Sequence, residues 1–171
     1  MKTRSILIRV PGNPFSLEAL MPDAHSAGAA GALLEHGHDT QVWDLGTLDT
    51  FDRLFPAQHR GALERVADQA LSDTPPAMAT VIQSLFQRKT LDRAFSARCE
   101  ELSRELAETV AAQRGLHFVG FALNTAEDAP LTLSVAQRLR EGRPELRLIA
   151  FGPCADIYVT DVNSLNFPFF Y

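Results

Sequence analysis

The side chains able to do chemistry are few in this 171-residue chain. Its two cysteines, Cys99 and Cys154, stand 55 positions apart. That spacing excludes a Cys-rich zinc site, a disulfide-dense scaffold and an iron–sulfur cluster motif within this chain. No Gly-x-Ser-x-Gly nucleophile elbow and no Gly-Lys-Ser/Thr phosphate loop occurs. A dinucleotide loop needs Gly-x-Gly-x-x-Gly, whereas the first loop, Pro11-Gly12-Asn13-Pro14, offers only Gly12. A phospho-acceptor would need an acidic pair there and an Asp at the end of the third strand, where Asn124 stands. What remains is a set of loops after apolar runs, Pro11–Pro22, Asp44–Leu48, Asn124–Asp128 and Gly152–Asp156. Asp23 reads as a helix N-cap with His25 on the first solvated turn, and Thr125 also reads as a cap. Gly152 ends a buried run, where the missing side chain permits close approach of a bulky ligand. His36 and His38 flank a turn and read as exposed, His117 as structural, and Cys154 as a small buried residue.

The elements that must position these residues follow from periodicity. Ser5 to Val10 is a short apolar run stopped by Pro11-Gly12, hence a buried first strand. Asp23 to His36 is an Ala-rich helix whose small residues, Ala24, Ala27, Gly28 and Gly31, share a side with Leu34 and form a smooth stripe suited to lie on a sheet. Gly37 stops it, and Thr40 to Trp43 is a second strand ending at Asp44. The middle shows no strand. Helical spacing appears at residues 63–71, at 78–86 after Thr74-Pro75, and at about 96–113, closing at Gly115. His117 to Leu123 is the next strand, followed by a helix that starts with Thr125 and Asp128 in a capping-box-like pair and ends at Gly142. Leu146 to Phe151 is a further strand, and residues 157–160 read as a short fifth one.

Alternating elements with buried strands predict a doubly wound α/β domain with a mainly parallel, four- to five-stranded sheet of Rossmann/flavodoxin-like type over residues 1–160. A helical insertion is expected at about 45–115, part of it as a cap or interaction surface. Ligands in such sheets bind at the carboxyl ends of the strands. Lys plus Arg total 16 against 21 Asp plus Glu, a net charge of -5. That balance gives no reason to bind nucleic acid or an acidic membrane. No stretch reaches the roughly 18 apolar residues of a membrane span, and no signal peptide fits the N-terminus, so the default compartment is the cytoplasm. The aromatic tail 161–171, ending Phe167-Pro168-Phe169-Phe170-Tyr171, reads as the start of a further domain or as a docking element.

Two blocks of the chain resemble the cobalamin (B12)-binding domain found at the N-terminus of B12-dependent radical S-adenosylmethionine (radical SAM) enzymes. The first is Ile6-Leu7-Ile8-Arg9-Val10-Pro11-Gly12-Asn13-Pro14-Phe15 with Ala32 to Asp44. The second is Phe118-Val119-Gly120-Phe121-Ala122-Leu123-Asn124-Thr125 with Ala136 to Arg140 and Ile149-Ala150-Phe151-Gly152-Pro153. Within the first, Asp23-Ala24-His25-Ser26-Ala27-Gly28 is similar to Asp-x-His-x-x-Gly, in which the His replaces the nucleotide base beneath cobalt. It departs from that pattern in following the first strand only after twelve residues. The radical enzymes it otherwise resembles usually lack this His.

The resemblance implies a corrinoid at the strand ends, His25 as its cobalt ligand with Asp23 orienting the ring, and Gly28 leaving room for the displaced nucleotide tail. It also implies methyl transfer or radical chemistry carried out with a separate radical SAM domain or partner. This chain has no Cys-x-x-x-Cys-x-x-Cys and so no complete active site of that kind. The alternative is a cofactor-free α/β interaction domain whose helical middle and aromatic tail dock on a partner; a nucleotide- or sugar-binding half-domain is a third reading.

Overall fold

The computed structural model describes residues 2–11, 21–54, 96–125 and 128–155. Four strands, β1 (Arg4–Arg9), β2 (Asp39–Asp44), β3 (Phe118–Ala122) and β4 (Arg147–Phe151), form one parallel sheet in the order β2-β1-β3-β4. The register sets Leu7 between Val42 and Gly120, and Gly120 beside Ile149. With flanking helices on both faces this is a doubly wound α/β fold of the Rossmann/flavodoxin-like kind. The apolar runs of β1 and β3 are buried because both strands are central, while β2, at the edge, keeps only partial cover.

Helix α1 (Ala24–Glu35) connects β1 to β2 and packs on those two strands. Its C-terminal turn is closed at Gly37, whose φ of 79° a residue with a side chain rarely adopts. Between β2 and β3 come the short helix α2 (Leu48–Leu54) and a helix α3 described over residues 96–111. Helix α4 (Ala129–Gly142) connects β3 to β4. One face of the sheet, with Ile6, Ile8, Val119, Phe121, Leu148 and Ala150, meets Leu102, Leu106 and Val110 of α3 and Leu131, Val135 and Leu139 of α4 in a single buried core.

Two expectations about the helices change. The small-residue stripe of α1 faces solvent: Ala24, Ala27, Gly28 and Gly31 are exposed and Leu34 is 54% exposed. The helix instead buries Ser26 and Ala30, and Ala29 and Leu33 turn partly inward. Within the 45–115 segment, Leu54 of α2 and Cys99, Leu102, Leu106 and Val110 of α3 lie in the core. Helix α4 starts at Ala129, later than Thr125, with Pro130 in its first turn. The periodic segments at 63–71 and 78–86, the strand at 157–160, the tail 161–171 and Asn13 lie outside the described residues.

Candidate functional site

In the sheet order β2-β1-β3-β4, the chain leaves β1 towards α1 on one face and leaves β3 towards α4 on the other. The carboxyl ends of β1 and β3 therefore diverge, and the crevice between them is where doubly wound sheets hold ligands. Five polar residues from four segments converge there: Arg9, Asp23, Asp44, Asn124 and Asp128.

Arg9, the last residue of β1, is only 5% exposed. Its Nη1 lies 3.3 Å from both carboxylate oxygens of Asp44, at the end of the neighbouring β2, and also donates to the Met21 carbonyl. A buried guanidinium needs such partners, and the strand register supplies one by pairing Arg9 with Asp44. Asp44 also accepts from the Gly46 N–H at 2.9 Å, which fixes the turn after β2.

Asp23 is the N-cap of α1. Its Oδ1 accepts from the His25 N–H at 3.1 Å and its Oδ2 from the Ser26 N–H at 3.0 Å. From the other side of the crevice, the Asn124 side-chain amide donates to Asp23 Oδ1 at 2.9 Å. Burial pushes the Asp23 carboxyl up, but hydrogen bonds from Ser26, Asn124 and the His25 N–H outweigh it and hold the group below the usual carboxylate value. The His25 ring is 57% exposed, with Nδ1 3.7 Å from Asp23 Oδ1. That separation is beyond a hydrogen bond, so the carboxylate lies beside the ring without holding it.

Asp128, 5% exposed, accepts the N–H groups of Asn124 and Thr125, each at 2.9 Å, and so holds the β3–α4 loop. Desolvation raises its carboxyl despite these bonds and the nearby Arg9. Asn124 thereby has its backbone clamped and its side-chain nitrogen engaged, while its Oδ1 is buried without a partner among the described residues. Gly152 adopts a φ of 107°, and a Cβ there would stand 2.8 Å from the Leu123 carbonyl oxygen and 3.2 Å from Asn124 Oδ1. The chain's own backbone thus requires this glycine. The Cys154 N–H donates to Leu123 O at 2.9 Å, and its thiol to Asn124 O at 3.2 Å.

The structure therefore brings Asp23, His25, Leu123, Asn124, Thr125 and Gly152 to one end of the sheet, with Pro11 buried after β1 and Pro153 exposed after β4. Gly28 is set apart on the solvent face of α1, where an added Cβ meets nothing within 4 Å. Arg9, Asp44 and Asp128 are the residues that sequence reasoning passed over. The signal for Arg9 was present: an arginine inside Ile-Leu-Ile-Arg-Val, a run otherwise fit for burial. Cys99 lies in the core, where burial pushes its thiol up to about 12 and disfavours a thiolate. A groove of about 810 Å³, lined by Leu7, Leu33, Phe118, Gly120, Ile149 and Phe151 among others, lies on the α1 face of the sheet and includes none of the polar cluster.

Among the described residues no group of three or more His, Cys, Asp or Glu is placed to hold a metal ion. A metal brought in by its own macrocycle asks less, a single axial donor, and the exposed imidazole of His25 beside an ionised carboxylate is a donor of that type. Among the same residues no helix is long and apolar enough to cross a membrane. No family model, no curated protein and no solved structure matches this chain.

Proposed function

We propose that the chain is a cobalamin-binding domain that carries a corrinoid at the carboxyl ends of its strands for a separate radical SAM domain or partner. The observation that carries the reading is the His25–Asp23–Asn124 arrangement at the divergence of β1 and β3: an accessible imidazole backed by an ionised carboxylate that is itself anchored to the opposite wall. His25 would ligate the cobalt, and Asp23, whose Oδ1 lies 3.7 Å from the ring's Nδ1, would orient the ring by closing to hydrogen-bond distance. Asn124 Oδ1, which has no partner among the described residues, is an acceptor for an amide side arm of the corrin. Pro11, Asn13, Leu123, Thr125, Gly152 and Pro153 belong to the loops that would border the ligand, and Gly28 to the helix beside it. Bound methylcobalamin supplies a cobalt-held methyl group; the chain's own residues bind and orient it, and the chain lacks the cysteine motif needed to generate a radical.

The test is a titration of the purified chain with hydroxocobalamin, followed by desalting and visible absorption. Stoichiometric retained corrinoid is expected, with a spectrum that changes in His25→Ala as the protein ligand is lost. A folded, monodisperse sample that retains no colour overturns the reading and leaves the interaction domain.

A further inference from the structure

We draw no further inference here: the strongest candidate, the apolar groove on the α1 face of the sheet lined by Leu7, Gly120, Ile149 and Phe151, carries nothing because no feature of the described residues shows what covers it.

Discussion

The side-chain amide of Asn124 donates a 2.9 Å hydrogen bond to Asp23 and so ties the end of β3 to the start of α1 across 101 positions of sequence. The bond spans the crevice at the divergence of β1 and β3 and is made to a buried, ionised group. Asn124→Leu keeps the volume and removes the donor. It is expected to destabilise the fold by about 1.5–3 kcal/mol, the range for a lost hydrogen bond to a charged partner. Asn124→Asp is expected to cost more, since a second carboxylate would then face Asp23. Urea denaturation of both variants measures the difference.

Asp23 and Asp128 pull the pH profile in opposite directions. The Asp23 carboxyl is held below its ordinary value of 3.8, so its contribution to stability is present above that value and is lost as pH falls through the folded one. Asp128 is raised above 3.8 by burial, so its contribution is full below 3.8 and is lost as pH rises through the folded value. Asp23→Asn should therefore flatten the acid limb of the stability profile, and Asp128→Asn the decline just above it. Urea midpoints at intervals from about pH 3 to pH 7 separate the two, since each variant removes one limb and keeps the other.

Glycines at two positions should respond with opposite signs. At Gly152 the φ of 107° and the Leu123 oxygen 2.8 Å from a new Cβ make Gly152→Ala strained, with an expected loss of about 1–3 kcal/mol. At Gly28 the helix is regular and an added methyl meets nothing, so Gly28→Ala should stabilise by about 0.5–1 kcal/mol. Thermal midpoints of the two variants measure both effects.

Phe121 is fully buried where α3 and α4 meet the sheet. Phe121→Ala should cost about 3–5 kcal/mol through lost burial and a residual cavity. Because the core is shared by α3, the same variant should reduce helical circular dichroism if α3 depends on the sheet for its stability.

Much of the architecture was legible along the chain because its signals are local. The run at 5–10 predicts β1 within a residue of its observed bounds. Asp23 followed by an Ala-rich segment predicts α1, and Gly37 and Gly115 mark chain reversals with φ of 79° and 71°. The rotation of α1 was not legible, because an Ala- and Gly-rich helix has little amphipathic contrast. Its orientation is decided by packing on β1 and β2, which buries Ser26 and Ala30. The start of α4 slipped to Ala129 because Asp128 spends its carboxylate on the Asn124 and Thr125 amides, and holds them as a loop ahead of the helix.

The candidate site divides in the same way. Sequence alone pointed to Asp23, His25, Asn124, Thr125 and Gly152 near the carboxyl ends of the strands: Asp23 as a helix cap, Asn124, Thr125 and Gly152 in loops after apolar runs, and His25 through the resemblance. Only the tertiary structure decided that Asn124 holds Asp23, that Arg9 is buried against Asp44, and that Gly28 stands apart. Those relations depend on the parallel order β2-β1-β3-β4, which sets β1 beside β3 and pairs Arg9 with Asp44. Strand order is settled by long-range packing of helices on both sheet faces, and residues this far apart in the chain leave no local pattern to reveal it.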